Sequence, residues 1–326
     1  MRAAMCRSYG APDVVAVEDV PDPVPGPDDV RVAVTAAAVN FPDVLLVANR
    51  YQISVPTPFV VGSELAGRVD AVGENVTSLR AGDRVFGATM VGAFAEHAVV
   101  PALALSRTPD TVDDESAAAF GVAHRTAYHT LRTVAETQPG DEVIVLGAAG
   151  GVGLAAVQLA TLLGASVTAV ASTREKLDAA QRCGAARGVL SGDAELRARL
   201  REALPDGADV IVDPVGGDLA EPALRALRWG GRFVTVGYAS GEIPRIPLNL
   251  VLLKGVSLRG FEARGFFTHE AERARRDEKE LMDLFASGKV RPHIGVRFAL
   301  DDAGAALRHV ADRRAIGKVV IAISLR

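Results

Sequence analysis

Short apolar runs alternate with helix-forming segments through the middle of the chain. The runs predicted as buried parallel strands are Val143–Leu146, Ser166–Ala171, Asp209–Asp213, Arg232–Gly237 and Val256–Phe261. The helices predicted around them are Ala123–Ala135, a segment from Leu154 up to Gly164, Arg174–Arg182, Asp193–Leu204 and Leu219–Arg228. This alternation predicts an α/β fold with a doubly wound parallel sheet.

Residues 1–110 follow a different pattern, with short period-two strands broken by Gly and Pro, as in Val30–Thr35 and Leu65–Val72. Such a texture predicts a compact, barrel-like β domain. A charged helix near Glu270–Ser287 leads out of this alternating region, and the strand Lys318–Ile323 has no strand–helix–strand partner of its own. We therefore predict a first domain of residues 1–122 completed by 266–326, with a domain of residues 123–265 inserted into it.

A run of small residues, Gly147–Gly153, lies between the first predicted strand of the inserted domain and its helix. Small residues here let the backbone N–H groups of Gly150, Gly151 and Val152 approach a pyrophosphate, and the helix directs its positive end at the same anion. Ala148 replaces the first glycine of the usual G-x-G-x-x-G pattern. The expected ligand is a dinucleotide.

The next strand ends where a nucleotide-binding domain places the side chain that contacts the ribose. That position holds Ser172 in place of Asp or Glu, and Thr173, Arg174 and Lys176 follow it. Hydroxyls and cations suit a 2′-phosphate, which an acidic residue would repel, so we predict NADP(H). The alternative is that Arg174 and Lys176 are solvated charges on an ordinary helix.

Charge and cysteine content exclude several classes. The net charge of −4, with acids and bases interspersed, provides no basic stripe for nucleic acid and no polybasic membrane patch. Two cysteines are too few for a disulfide framework, and no signal peptide is evident, so we expect a cytoplasmic protein. The uncharged span Val143–Thr173 is long enough to cross a bilayer, but glycines divide it into shorter elements.

Taken together, these segments resemble the zinc-independent quinone oxidoreductases, the zeta-crystallin-like branch of the medium-chain dehydrogenase/reductase superfamily. The resemblance covers nearly the whole chain and rests on Gly140–Thr161, Asn40–Asp43, Gly62–Glu64, Gly67–Gly73, Ala81–Val85 and Asp213–Gly217. It implies a GroES-like catalytic domain with an inserted Rossmann domain, and a homodimer. It also implies hydride transfer from NADPH to a quinone or another conjugated carbonyl acceptor.

The resemblance also bears on metal. Zinc-dependent relatives carry Cys, His and a further Cys or Asp around the catalytic ion, and the matching positions here are Asn40, Ser63 and about Val122, which are poor zinc ligands. The six histidines show no paired ligand spacing. We therefore expect no metal, and chemistry limited to the reduction of an electrophilic acceptor.

For catalysis, the candidates are Tyr51, whose phenol would donate to the acceptor oxygen, and Asn40, whose amide would orient the acceptor. Asp43 would hold a neighbour in place. Each has a structural alternative. Tyr51 suits the rim of a domain, and Asn40 and Asp43 suit a helix cap.

Further cofactor contacts are implied by the family pattern alone: Thr126, His129, Gly237, Tyr238, Ala239, Phe261 and Arg313. The alternatives are helix packing for Thr126 and His129, turn geometry for Gly237 and core filling for Phe261. Arg313 would otherwise be a solvated charge.

Three functions remain open from sequence. The first is an NADPH:quinone reductase, and the second is an enoyl-thioester or enone reductase on the same scaffold. The third is an NADPH-binding structural or sensing protein with little turnover. Loops such as Leu46–Pro58 shape the acceptor pocket, and their conformations are not predictable from the sequence.

Overall fold

The computed structural model describes residues 1–192 and 195–324 of the chain. These residues form two compact units. Unit 1 consists of Met1–Val122 and the chain that follows Val290, and unit 2 is Ala123–Val290. The first two residues of the predicted helix Asp193–Leu204 lie outside the described residues.

The strands of the described chain are β1 (Arg2–Cys6), β2 (Val15–Asp19), β3 (Asp29–Val39), β4 (Phe59–Val60), β5 (Glu64–Val72), β6 (Arg84–Ala88), β7 (His97–Pro101), β8 (Leu105–Arg107), β9 (Glu142–Leu146), β10 (Ser166–Ala171), β11 (Arg187–Leu190), β12 (Ala208–Asp213), β13 (Leu227–Thr235), β14 (Ser257–Gly260), β15 (Ile294–Ala299) and β16 (Lys318–Ala322).

The α-helices are α1 (Phe41–Val47), α2 (Asp114–Ala118), α3 (Gly121–His129), α4 (Gly151–Leu162), α5 (Arg174–Arg182), α6 (Leu196–Ala203), α7 (Ala220–Leu224), α8 (Leu248–Lys254), α9 (Ala263–His269), α10 (Ala271–Ala286) and α11 (Ala303–Ala311). A π-helical segment, Thr130–Val134, continues α3, so the predicted helix Ala123–Ala135 is confirmed. The predicted helix Leu219–Arg228 is shorter, because Leu227 already pairs with Ala208 of β12 and begins β13.

Unit 1 consists mainly of β-sheet. Its described residues form a three-stranded sheet, β2-β1-β4, and a larger sheet in the order β15-β16-β3-β5-β6-β8, with β7 also pairing with β3. Alternate residues of β3, namely Val30, Val32 and Val34, are fully buried in the apolar core, as period-two strands require. The pairing of β16 with β3 places the end of the chain in this unit, as predicted.

Unit 2 contains a parallel sheet in the order β11-β10-β9-β12-β13-β14 over the described residues. Numbered within the unit, this is the order 3-2-1-4-5-6 of a doubly wound dinucleotide-binding sheet, which reverses between β9 and β12. Every residue of β12 is buried, as expected for a sheet covered on both faces. The predicted fold class is therefore confirmed.

The second compact unit runs from Ala123 to Val290, so it includes residues 266–290, which the predicted domain division assigned to the returning segment. Asp277 and Glu278 of α10 hydrogen-bond His129 of α3, and Glu278 also pairs with Arg125. These polar contacts hold α10 within unit 2.

The apolar span around residue 150 is interior to unit 2, as predicted, since β9, most of α4 and β10 are buried. None of the helices in the described chain is both long enough and apolar enough to span a bilayer.

Candidate functional site

The turn between β9 and α4 has the geometry of an anion-binding site. Gly147 has a φ of +58°, which favours glycine, and a side chain on Gly153 would overlap the Gly147 carbonyl oxygen. Gly150 is the N-cap of α4, and no side chain caps the helix there. The N–H groups at the start of α4 are therefore not satisfied by a capping side chain, which is the arrangement that binds phosphate groups.

A second polar group lies where β10 ends. The side chain of Thr173 caps α5 by accepting from the Lys176 backbone N–H at 3.3 Å. The Lys176 ammonium lies 3.3 Å from the Ser172 hydroxyl, and Ser172, Thr173 and Arg174 are exposed. A cation and hydroxyls therefore lie next to the glycine turn, at the carboxyl edge of the sheet. In NAD-binding domains this position holds an acidic side chain that hydrogen-bonds the ribose 2′-hydroxyl.

The loop after β13 lies at the same carboxyl edge. Gly237 and Ala239 donate backbone hydrogen bonds to the carbonyls of Asp213 and Pro214, and Tyr238 is partly exposed. Asp213 is fully buried and accepts from two backbone N–H groups of the Pro214–Gly217 turn; burial raises the pKa of this carboxyl. The structure thus brings Gly237–Ala239 to the edge that carries the glycine turn.

His129 has a different environment from the one expected for a cofactor contact. Its Nδ1 and Nε2 lie 3.2 Å and 3.1 Å from carboxylate oxygens of Asp277 and Glu278, and the ring is fully buried. Burial alone would lower the pKa of His129, but the hydrogen bonds to the two carboxylates outweigh it and raise the pKa. Both ring nitrogens are therefore engaged inside unit 2, in agreement with the packing alternative.

Phe261 and Thr126 lie near the same helix. Phe261 is 8% exposed and stacks on His129 with ring centroids 6.1 Å apart, so it fills the core as its structural alternative stated. Thr126 lies on α3 and is half-buried. Neither observation places these side chains beside the glycine turn.

In unit 1, Asn40 and Asp43 form the capping box of α1. The Asn40 backbone N–H donates to Asp43 Oδ2 at 2.7 Å, and the Asp43 backbone N–H donates to the Asn40 carbonyl oxygen at 3.1 Å. Burial raises the pKa of Asp43 to about 6, against the opposing effect of its hydrogen bonds. The capping role that sequence allowed for both residues is therefore present.

The Asn40 side chain belongs to a buried hydrogen-bond network that was not predicted from the sequence. Lys318 Nζ donates to Asn40 Oδ1 at 2.6 Å and to Glu64 Oε2 at 2.9 Å, and the Asn40 amide nitrogen donates to the same carboxylate oxygen at 3.1 Å. The other Glu64 oxygen accepts from the Val122 N–H at 2.7 Å. The Lys318 and Glu64 side chains are 4% and 1% exposed.

This network changes the role of Asn40. Its amide nitrogen donates to Glu64 and, at 3.4 Å, to the Ala38 carbonyl, so both amide protons are used within the protein. The expected role of orienting an acceptor with this amide is therefore replaced by one inside the network. A lysine at the head of the apolar strand Lys318–Ala322 is the sequence signal that could have identified it.

Tyr51 and Arg313 both lie in unit 1. Tyr51 is half-buried in the segment between α1 and β4. Arg313 is exposed, follows α11 and has a positive φ of +57°.

The chain is similar to known proteins over almost its full length. The family described as Alcohol dehydrogenase GroES-like domain matches residues 26–110, and the family described as Zinc-binding dehydrogenase matches residues 151–287. Quinone oxidoreductase-like protein 2 homolog of Nematostella vectensis is 38% identical over 98% of this chain and 88% of its own length.

The chain belongs to the quinone oxidoreductase type of the medium-chain dehydrogenase/reductase superfamily. The structure of Escherichia coli quinone oxidoreductase complexed with NADPH superposes with a TM-score of 0.90, at 28% identity, over 99% of this chain and 100% of that one. A polyketide synthase of Streptomyces halstedii is 37% identical over 90% of this chain, which spans only 5% of that protein. The predicted family is therefore confirmed.

Some members of this superfamily bind zinc, and the residues present here do not fit that ion. The resemblance puts Asn40, Ser63 and about Val122 at the positions of the zinc ligands, and the structure places the Lys318 ammonium beside Asn40 and Glu64. A cation already bound to the nearest carboxylate would repel a metal ion. Within the described residues, no group of three or more His, Cys, Asp or Glu side chains is placed to hold a metal.

Proposed function

We propose that this protein is an NADPH-dependent oxidoreductase that reduces a quinone or another conjugated carbonyl without a metal ion. The observation that carries the proposal is the combination of the uncapped glycine turn with the Ser172–Lys176 contact at one edge of a doubly wound sheet. The first feature suits a pyrophosphate and the second a 2′-phosphate.

The residues proposed to hold the cofactor fall into two groups. The N–H groups of Gly150, Gly151 and Val152 would bind the pyrophosphate, and Ser172 and Lys176 would bind the 2′-phosphate. Bound NADPH supplies a hydride from its nicotinamide ring. Gly237–Ala239 would lie along the bound cofactor, since ligands of open α/β sheets bind outside the carboxyl ends of the strands.

Tyr51 is our candidate for donating to the oxygen of the acceptor. A quinone gains negative charge on oxygen as hydride adds, and a phenolic O–H is a suitable donor to that oxygen. The buried network of Lys318, Glu64 and Asn40 would fix the start of α1, the helix that precedes the segment carrying Tyr51.

The acceptor is tested by following NADPH oxidation with 1,4-benzoquinone, 9,10-phenanthrenequinone and crotonyl-CoA, each against a no-acceptor control. We expect turnover with the quinones, and a loss of about 10-fold or more in kcat for Tyr51→Phe at similar KM. An unchanged kcat for Tyr51→Phe would remove that residue from the mechanism.

A second function, reduction of an enoyl thioester, is favoured by the likeness to a segment of a polyketide synthase, since polyketide chains are carried as thioesters. Turnover with crotonyl-CoA and none with quinones would establish it instead. Tight NADPH binding without turnover in all assays would identify a binding or sensing protein. We also propose a homodimer, which light scattering after gel filtration would test.

A further inference from the structure

A cavity of about 440 Å³ in unit 2 lies apart from the proposed cofactor site. All of its lining residues are polar or charged, and four guanidinium groups dominate them: Arg132, Arg232, Arg273 and Arg276. We call it the arginine cavity. Its volume is within the range of about 300–1,000 Å³ typical of small-molecule sites.

The arginine cavity lies at the amino edge of the parallel sheet. Arg232 is in register with Ser257, the first residue of β14, and Gln138 of the lining donates to Asp141, immediately before β9. The glycine turn follows the opposite end of β9. A strand of that length separates the two edges by about 16 Å, so a ligand here would not occupy the cofactor turn.

The first two arginines are only partly used by the protein. Arg132 directs Nε and Nη2 at Glu280, and Arg232 directs Nε at the Ala135 carbonyl and Nη2 at Asp141. Their Nη1 groups have no hydrogen-bond partner among the described residues. Each guanidinium is thus fixed in place by a carboxylate while part of its donor capacity remains.

The other two arginines lie on α10. Arg276 directs Nε and Nη2 at Asp277 and Nη2 also at Thr133, again leaving Nη1 without a partner in the described chain. Arg273 lies 3.6 Å from Glu270, beyond hydrogen-bond distance. Both side chains are about half exposed, so a solute can reach them.

The charge presented to the cavity is positive. The carboxylates that pair with the four arginines are not among the residues lining it. Glu136 is the acidic residue of the described lining, and its carboxylate is paired with Arg259 at 3.1 Å. The lining therefore presents guanidinium N–H groups to its contents, and it favours an anion with several acceptor oxygens.

We propose that the arginine cavity binds a small phosphorylated molecule. Guanidinium groups match the oxygens of a phosphate in paired N–H···O hydrogen bonds, and the oxygens of one phosphate group can accept from several guanidinium groups at once. The cavity exceeds the size of the phosphate alone, so the rest of the molecule occupies the remainder, next to Gln138. This site is independent of the cofactor and of the acceptor.

The experiment is a calorimetric titration of the full chain, saturated with NADP⁺ so that its glycine turn is filled, with inorganic pyrophosphate at constant ionic strength. We expect one site per chain. The variant Arg273→Ala/Arg276→Ala should bind pyrophosphate about 10-fold or more weakly. Arg275→Ala is the matched control, because Arg275 is exposed on the same helix and outside the lining.

Thermal melting of each variant tests whether it is folded. Arg273→Ala alone is the second variant, because Arg273 makes no hydrogen bond to the described chain and its removal should leave the fold intact. Three results would overturn the proposal: no heat at about 1 mM pyrophosphate, an equal loss of affinity in Arg275→Ala, or citrate binding as tightly as pyrophosphate with the same dependence on the arginine pair. The last would make the ligand a polycarboxylate.

Discussion

The buried pair of Lys318 and Glu64 makes a quantitative prediction for the substitution Lys318→Met. Both side chains are at least 96% buried, and their charged atoms lie 2.9 Å apart. Methionine fills a similar volume but removes the ammonium, which leaves the Glu64 carboxylate buried with only two hydrogen bonds, from Val122 N–H and the Asn40 amide. Leaving one charge of a buried pair uncompensated costs about 3–5 kcal/mol.

That loss is large beside a total stability of about 5–15 kcal/mol. It should be measured on unit 1 separately, by denaturant-dependent hydrogen exchange of peptides from β3 and β5, because a chain of two units need not unfold in one step. The double variant Lys318→Met/Glu64→Gln leaves no unpaired charge and should recover more than half of the loss.

The matched control is Arg297→Met in the same unit. Arg297 pairs with Glu115 at 2.7 Å, but both side chains are substantially exposed, and such pairs contribute about 0–1 kcal/mol. If Lys318→Met costs no more than Arg297→Met, or if the double variant is no more stable than the single one, the buried pair does not have the role assigned to it.

Two further predictions concern the glycine turn and Asp43. Gly153→Ala should destabilise unit 2 by about 1–3 kcal/mol and weaken NADPH binding, because its methyl group would overlap the Gly147 carbonyl; Gly150→Ala, whose methyl group would lie 3.5 Å from that oxygen, is the control for stability alone, because Gly150 belongs to the proposed cofactor site, and an equal destabilisation would contradict the packing account. For Asp43, a folded-state pKa of about 6, above the ordinary 3.8, means that the folded chain holds a proton more tightly than the unfolded chain, so the contribution of Asp43 to stability is fully present below about pH 4 and is lost as pH rises through 6. Between those pH values wild type should lose about 3 kcal/mol that Asp43→Asn does not lose, and urea unfolding curves that shift equally in both proteins would refute this.

Features encoded locally were predicted well. The helix Arg174–Arg182 has the predicted bounds, because Thr173 caps its start and Gly184, with a φ of +112°, follows its end. The apolar runs of β9 and β10 likewise matched, since a strand buried on both faces needs a continuous apolar sequence.

Features that depend on distant pairing were missed. Lys318 is 254 residues from Glu64 and 278 from Asn40, and no periodicity links them. The sequence predicted a charged helix near Glu270–Ser287 without identifying a partner for its charges, whereas Asp277 is buried and hydrogen-bonds His129 within unit 2. In both cases the residue that pairs with the buried charge is distant in sequence, so the pair is identified only from the three-dimensional structure.

The most direct test of the central claim is a calorimetric titration of wild type and Lys176→Ala with NADP⁺ and with NAD⁺. We predict that wild type binds NADP⁺ about 10-fold or more tightly than NAD⁺. Lys176→Ala should lose about that preference, while Arg182→Ala, at the far end of the same helix, should keep it. Wild-type protein that binds NAD⁺ as tightly as NADP⁺ would contradict the account.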